Sequence, residues 1–282
     1  MADGITPQQK LNIASYFIKS APINEVKFAL VDVEKLVGDD RVLTNEVKSK
    51  ALYDYNINQL VHVSDPQENR FLLTPFNAIS ETVFADPDTG KAWKIDNIQK
   101  SVVGEAPGQY TSSAHELLRA AVSQSVKKYI DTNYKVDAAK KNKCVHGVFV
   151  DGATLVVCLS GINTNFGAYW TGNWRAIYKV PVAGGNLESK LEVNVHYFES
   201  GNVQLNATYS APAVAVGADA QSIVGAIEKI ESEWQANLEK MYIDMHHQTF
   251  KQMRRALPLS KQLMNWSIDS HAVAQEFGAK QA

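Results

Sequence analysis

The residues with the clearest chemical potential form a basic stretch near the end of this 282-residue chain. No aspartate or glutamate occurs between Asp244 and Asp269. The stretch carries four cationic side chains: Lys251, Arg254, Arg255 and Lys261. Clustered cations attract acidic surfaces and speed association at long range. The pattern therefore predicts a surface that recognises an acidic partner.

Apolar residues follow the cations at helical spacing. Pro258 cannot easily continue a preceding helix, so the chain is predicted to break there and to start a second helix. The apolar side of that amphipathic helix is formed by Leu259, Leu263, Trp266, Val273 and Phe277. Three interpretations stay open from this pattern: the helix docks on its own protein, lies on a membrane surface, or inserts into the groove of a partner.

A long helix is predicted before this break. Large apolar residues recur at a spacing of three and four residues: Ile223, Ile227, Ile230, Trp234, Leu238, Met241 and Met245. The segment from Ala226 to Leu257 has no glycine or proline, and as a helix it would span roughly 48 Å. That length suits a helix across a sheet wider than five strands, so we expect another subunit to supply the rest. Acidic residues in its first half and cations at its end also complement the helix dipole.

Other chemistries have no support in the sequence. There is no P-loop, no G-x-G-x-x-G after a strand and no H-E-x-x-H, and His246 and His247 are adjacent rather than four residues apart. Cys144 and Cys158 lie in apolar runs and are predicted to be buried free thiols. A net charge of −2 argues against a dedicated nucleic-acid binder. We therefore expect neither an enzyme nor a cofactor or metal site.

The remaining patterns predict an α+β fold, and they predict a cytosolic protein because neither a signal peptide nor a membrane span is apparent. Five segments are expected: an antiparallel helical bundle over residues 1–60, short strands and a helix over 61–143, an antiparallel meander over 144–210, a long helix over 217–257 and an amphipathic tail over 258–282. The bundle stripes are predicted at Ile13, Phe17 and Ile18, and at Phe28, Val31 and Leu36. Residues 113–133 are predicted to be helical, with Leu117, Val122 and Val126 on one side.

The meander gives the clearest fold signal. Apolar runs flank Asp151-Gly152, which predicts a tight hairpin because both residue types tolerate positive φ. In the run from Leu191 to Phe198 apolar residues alternate with polar or aromatic ones, as in a strand with one buried face. Five strands joined by tight turns are expected, with a partner subunit completing the sheet.

Three motifs in this chain resemble those of a known family. The chain contains Trp170-Thr171-Gly172-Asn173-Trp174-Arg175, Val195-His196-Tyr197 followed by Gly201-Asn202-Val203-Gln204-Leu205, and Arg254-Arg255-Ala256-Leu257-Pro258. They resemble the W-x-G-x-W-R, V-H-Y…G-N-V-Q-L and R-R-x-L-P motifs of the alpha subunit of the heterodimeric F-actin capping protein. Trp266 resembles the tail tryptophan of that family. The likeness covers most of the chain, although residues 60–140 match poorly.

The resemblance implies a helical bundle, a five-stranded sheet extended by a beta subunit, and a long helix over it. It implies a heterodimer that binds the barbed end of an actin filament and blocks subunit gain and loss, in the cytoplasm, the actin cytoskeleton and the cell cortex. By position Lys251, Arg255 and Lys261 match the basic residues needed for capping. Lys261 stands where the family has arginine, and Leu263 where it has lysine. Polyphosphoinositides, myotrophin and carmil-type proteins are the regulators that the family suggests.

From the residues and the resemblance together we assign two predicted sites. The predicted actin-binding residues are Lys251, Arg254, Arg255, Leu259, Lys261, Leu263, Trp266, Val273 and Phe277. Trp170 and Trp174 are predicted to pack within the sheet or at the subunit interface together with Arg175, for which the sequence shows no carboxylate partner. The alternative function is a peripheral membrane or phosphoinositide-binding scaffold that uses the same basic amphipathic tail.

Overall fold

The structure, a computed structural model, describes residues 5–22, 24–39, 41–108, 110, 115–134, 144–199 and 202–245. The nine predicted actin-binding residues, from Lys251 to Phe277, lie outside these ranges, as do Pro258 and the end of the predicted long helix. The chain divides into two compact units, residues 1–231 and 232–282. Of the second unit the described residues are 232–245, which continue the last helix.

The N-terminal residues form the predicted helices. They are α1 (Pro7–Ser20), α2 (Val26–Val37) and α3 (Asn45–Asn58). Thr6 starts α1 because its hydroxyl accepts from the backbone N–H of Gln9, whose side chain accepts from the backbone N–H of Thr6 in return. Gly38 ends α2 with a left-handed φ of 60°, which glycine adopts without a Cβ clash. Buried residues of all three helices share one hydrophobic cluster.

The apolar stripes of α1 and α2 differ from the prediction. Ile18 is fully buried as expected, but Ile13, Phe17, Phe28, Val31 and Leu36 are all exposed by 47% or more. The cluster is instead filled by Ala14 and Ile18 of α1 and by Val26, Leu30 and Val33 of α2. Each helix has apolar residues on more than one side, and the pattern alone does not decide which side packs inward. The exposed apolar side chains of α1 and α2 together are more numerous than is usual for a surface that faces water.

Short antiparallel strands follow the bundle, as predicted. β1 (His62–Ser64) pairs with β2 (Arg70–Leu72), and a separate sheet holds β3 (Ala78–Ser80), β4 (Val83–Ala85), β5 (Ala92–Asp96) and β6 (Ser101–Ala106). Residues of both groups, such as Phe71, Leu73, Phe84 and Trp93, share a second hydrophobic cluster. This cluster fixes the two groups of strands to each other.

Helix α4 spans Glu116–Asn133. Val122 and Val126 are fully buried as predicted, while Leu117 is 90% exposed and does not belong to the buried side. Leu117 lies in the first turn, and the buried residues of the helix begin with Arg119. The apolar side therefore starts later than the sequence pattern indicates.

The meander is confirmed as an antiparallel sheet. β7 (Cys144–Asp151), β8 (Thr154–Asn165), β9 (Trp170–Pro181), β10 (Gly185–Tyr197) and β11 (Val203–Tyr209) lie side by side in chain order. A short strand, β12 (Val214–Val216), also pairs with the first residues of β10. The first hairpin turns at Gly152-Ala153, one residue later than predicted, since Asp151 still pairs with Thr154. Gly152 has φ 60° and supplies the left-handed position of this turn.

Helix α5 spans Ala220–Asp244 and so begins three residues after the predicted start at residue 217. Asp219 caps it, because its carboxylate accepts from the backbone N–H of Ser222 at 2.9 Å. Ile223, Ile227 and Ile230 are exposed by 2% or less. The mixed helix and sheet composition with antiparallel sheets agrees with the predicted α+β class.

Candidate functional site

Strand β9 carries the tryptophan-rich motif, and its residues alternate between the two faces of the sheet. Thr171, Asn173 and Arg175 are exposed by 1%, 4% and 8% on one face. Trp170 and Trp174 are half-buried on the other face. Alternation of this kind follows from the two-residue period of a strand. The side chains of the motif therefore lie in two different environments, one on each face of the sheet.

Arg175 binds two other elements of its own chain, α3 and β10. Its Nη1 donates to the backbone oxygen of Asn58 at the end of α3, at 2.6 Å. Its Nη2 lies 2.8 Å from the carboxylate of Glu192 and 2.9 Å from the side-chain oxygen of Asn194, both in β10. Burial lowers the pKa of the guanidinium, and the charge of Glu192 opposes that shift. Glu192 is thus the carboxylate partner that the sequence did not reveal.

A second link joins α2 to the same face of the sheet. Oε1 of Glu25, the residue just before α2, accepts from the Thr171 hydroxyl at 3.0 Å and lies 2.6 Å from Nδ1 of His196. The other ring nitrogen of His196 lies 3.0 Å from the side-chain oxygen of Asn202. His196 is therefore a structural histidine with partners at both ring nitrogens, and it belongs to the V-H-Y motif.

The other face of β9 holds a buried carboxylate. Glu231 of α5 is completely buried and accepts hydrogen bonds from three tyrosine hydroxyls. The distances are 2.5 Å to Tyr129, 2.7 Å to Tyr134 and 2.8 Å to Tyr178. Burial raises the pKa of the Glu231 carboxyl, and the three hydroxyl donors act in the opposite direction. This arrangement ties α4, β9 and α5 together.

Sequence reasoning missed the Glu231 cluster. From the sequence, Glu231 is one of the acidic residues in the first half of the long helix, whose charges complement the helix dipole. A usable signal was present, since Glu231 lies four residues after Ile227 and hence on the buried side of the helix. The tyrosines that bind it come from distant parts of the chain, up to 102 residues away. No local pattern connects them.

Two described surfaces have the character of an interface. The first is the outer edge of β11, where no further strand pairs along the sheet among the residues described. Val203 there is 61% exposed. The second, which we call the α1–α2 groove, is a cavity of about 160 Å³ lined mainly by Ile5, Ile13, Phe17, Val33 and Leu36. Open strand edges pair readily with other chains, and exposed apolar patches mark contact surfaces.

The predicted site residues are therefore distributed unevenly. The actin-binding set lies outside the described residues, and Trp170, Trp174 and Arg175 lie together in β9. The interface assignment of these three stays a prediction. For Arg175 the described contacts are internal to the chain. Both cysteines are buried thiols outside any disulfide, as predicted, and burial raises the pKa of Cys158 to about 12. In the described part of the chain no helix combines the length and apolar character needed to cross a membrane.

Comparison with known proteins gives consistent matches. The family described as F-actin capping protein alpha subunit matches residues 14–276. The F-actin-capping protein subunit alpha of Caenorhabditis elegans is 31% identical over 284 residues, covering 96% of this chain and 98% of that protein. The protein of the same name from Dictyostelium discoideum is 32% identical, covering 95% and 98%.

A solved structure shares the fold. It is the structure of the homodimeric actin capping protein alpha subunit from Plasmodium berghei, and it aligns with this chain with a TM-score of 0.70 at 18% identity. The alignment covers 91% of this chain and all of that one. The arrangement of helices and antiparallel sheets described above is thus one that another chain adopts with little sequence in common.

Proposed function

Because the chain belongs to the F-actin capping protein alpha subunit family, we propose that it forms half of an assembly that binds the barbed end of an actin filament and blocks subunit addition and loss. The observation that carries this proposal is the extent of the match, which runs through residue 276. It includes the sheet, the basic stretch and the apolar tail as far as Glu276. The proposed role is a binding role without catalysis, at the actin cytoskeleton of the cytoplasm and cell cortex.

The proposed partner is a beta subunit that completes the sheet. Two features support this: the open edge of β11 and the apolar side chains of the α1–α2 groove. A strand added at the edge would satisfy backbone groups, and a helix seated in the groove would remove apolar surface from water. Trp170 and Trp174 are proposed to contribute to the same interface. A second copy of this chain is the alternative partner at this interface, since the Plasmodium berghei protein is described as homodimeric.

Filament binding is proposed to proceed in two stages. Lys251, Arg254, Arg255 and Lys261 attract the acidic surface of the terminal actin subunits, and the apolar tail residues from Leu259 to Phe277 are then buried in a groove of actin. An exposed charge pair contributes no more than about 1 kcal/mol, whereas burial of a large apolar side chain contributes about 1.5–3 kcal/mol. The charges should therefore govern the rate of association and the tail should govern dissociation.

The test is co-expression of this chain with a beta subunit, followed by elongation of actin from filament seeds. We expect elongation at barbed ends to stop at low concentrations of the purified complex. Unchanged elongation would overturn the proposal. Analytical ultracentrifugation of the chain alone and of the mixture distinguishes the beta subunit from a second copy as partner.

Variants separate the two stages. The double charge reversal Arg255→Glu with Lys261→Glu should slow association roughly tenfold at low salt, with a smaller effect at high salt. Deletion of all residues after Pro258 should speed dissociation at least about tenfold, since one lost apolar contact already suffices for that factor. Lys50→Glu reverses an exposed charge in α3 and should change neither rate. Equal effects of all three changes would contradict the two-stage scheme.

A further inference from the structure

A cavity of about 320 Å³ lies where β2, the turn between β4 and β5, α4 and β7 meet. We call it the α4–β7 cavity. Its volume lies within the range of small-molecule sites, which begins at about 300 Å³. Apolar side chains form part of its wall, among them Phe71, Ile130 and Phe149, each exposed by 3% or less. The cavity is therefore preformed in a well-packed part of the chain.

His146 of β7 lines this cavity, and a chain of hydrogen bonds fixes one side of its ring. Its Nε2 lies 3.1 Å from Oγ of Ser123 in α4. The Ser123 hydroxyl donates to Oδ2 of Asp88 at 3.0 Å, and Nη1 of the buried Arg119 donates to Oδ1 of Asp88 at 2.8 Å. A carboxylate only accepts, so the single hydroxyl proton points to Asp88 and Oγ accepts from Nε2–H. The proton of the imidazole thus lies on Nε2.

The other ring nitrogen of His146, Nδ1, is left as an acceptor with a free lone pair. Within the described ranges no donor is bonded to it. Burial lowers the pKa of His146, which keeps the ring neutral at pH 7. Carboxylates outnumber cations around the cavity by four to two: Glu68, Asp86, Asp88 and Asp131 against Arg70 and Lys127. The cavity thus offers an acceptor in negatively charged surroundings.

Such surroundings suit a ligand that brings a positive charge and hydrogen-bond donors. In the described part of the chain no three side chains of the metal-binding kinds come together. An organic cation therefore fits the cavity better than a metal ion does. The apolar wall requires that the cation carry a hydrocarbon portion, because that portion gains free energy when it leaves water.

We propose that the α4–β7 cavity binds an alkylammonium group. The ammonium group donates to Nδ1 of His146 and is attracted by the carboxylates of Asp88 and Asp131, while its hydrocarbon portion packs against Phe71 and Phe149. Asp131 is exposed and forms no ion pair with any described residue, so its charge is available to a ligand. A free amine and a lysine side chain of a peptide both present this chemistry.

The test uses the purified full-length chain with histidines that carry the NMR-active nitrogen isotope. The probes are butylamine, its matched anion butyrate, and a short peptide with one lysine. His146→Gln identifies the resonances of His146 by their loss. At pH 7 we expect butylamine to shift the Nδ1 resonance of His146 in a saturable manner, because Nδ1 becomes hydrogen-bonded, and butyrate to leave it in place.

Either source of the ammonium group supports the proposal, and the affinities tell them apart. Tighter binding of the peptide would identify a lysine of a partner protein as the source, and tighter binding of butylamine would identify a free amine. The absence of a shift with both would overturn the proposal. So would an equal response to butylamine and butyrate.

Asp131→Asn tests the role of charge. It should weaken butylamine binding about threefold, the scale expected for one exposed charge contact. Asp32→Asn removes an exposed carboxylate from α2 instead and should leave the affinity unchanged. Equal weakening by the two variants would mean that net charge rather than the cavity attracts the amine, which would contradict the assigned site.

Ser123→Ala tests the assigned position of the imidazole proton. Without the Ser123 hydroxyl nothing directs the proton of His146 to Nε2, so we expect the nitrogen resonances to report a mixture of both tautomers. The affinity for butylamine should fall with the fraction of rings that keep Nδ1 unprotonated. A proton found on Nδ1 in the unaltered chain would overturn the proposal whatever the variants do.

Discussion

At the scale of single residues, the Glu231 cluster shows how the chain keeps a carboxyl group away from water. Burial raises the pKa of Glu231. A raised pKa means that the contribution of this group to stability is fully present below its unfolded pKa of about 4.3 and is lost as the pH rises through the folded value. The three tyrosine hydroxyls limit that loss by bonding to the carboxylate. Their removal should therefore matter most at high pH.

Tyr178→Phe tests this reasoning. The change removes the 2.8 Å bond to Glu231 and raises the pKa of that carboxyl further. We expect the free energy of unfolding to fall by about 1 kcal/mol near pH 5 and by about 2 kcal/mol near pH 8. Urea unfolding at the two pH values measures the difference.

Tyr55→Phe is the matched control for this prediction. Tyr55 is also buried, but its hydroxyl donates to the neutral backbone oxygen of Pro22 at 3.1 Å. Its loss should cost about 1 kcal/mol at both pH values. A similar pH dependence in the two variants would show that Glu231 is not its source.

At the scale of elements, Arg175 connects the sheet to the end of α3. Arg175→Met should lower the free energy of unfolding by about 2–3 kcal/mol, since Asn58 and Glu192 both lose a charged donor. Arg175→Lys should recover little of this, because a single ammonium group cannot reach both partners as the planar guanidinium does. Chemical denaturation measures both changes.

Lys190→Met provides the comparison for Arg175. Lys190 contacts the same carboxylate, Glu192, at 2.7 Å, but its side chain is 58% exposed. Exposed ion pairs contribute little, so we expect a loss under about 1 kcal/mol. Equal losses for Lys190→Met and Arg175→Met would mean that burial does not set the value of these contacts.

The elements also show where sequence reasoning succeeds. The meander was predictable because strand alternation and the glycine turn at Gly152 are local signals. The inward side of α1 and α2 was not, because Phe17 and Leu36 are as apolar as the buried Ile18 and Leu30. Which side packs inward depends on neighbours that lie far away in the chain. The partners of Glu231 and Arg175 escaped prediction for the same reason.

At the scale of the whole molecule, the α1–α2 groove is the surface on which the proposed assembly can be tested. Leu36 is 78% exposed in the described chain. Leu36→Glu places a charge in this apolar cavity, so we expect binding of the beta subunit to weaken at least about tenfold. The unfolding of the isolated chain should stay unchanged, since the side chain packs little within it. Sedimentation of the mixed subunits measures the affinity.

Leu117→Glu is the control for the groove. Leu117 is 90% exposed on α4 and does not line the α1–α2 groove. Leu117→Glu makes the same chemical change at a different surface and should leave the affinity for the beta subunit unaltered. Equal weakening by both variants would mean that added charge rather than the groove is responsible, and no effect of Leu36→Glu would exclude the groove from the interface.

The links between the N-terminal helices and the sheet also set an order in time. Glu25 binds His196, which is 171 residues further along the chain, and Arg175 binds a carbonyl 117 residues before it. At a synthesis rate of about 5–20 residues per second, roughly ten to thirty seconds pass between the synthesis of Glu25 and the synthesis of His196. During that interval the newly made helices expose the surfaces that the sheet later covers. Chaperones that hold nascent chains should therefore engage this protein early, before the ribosome reaches β10.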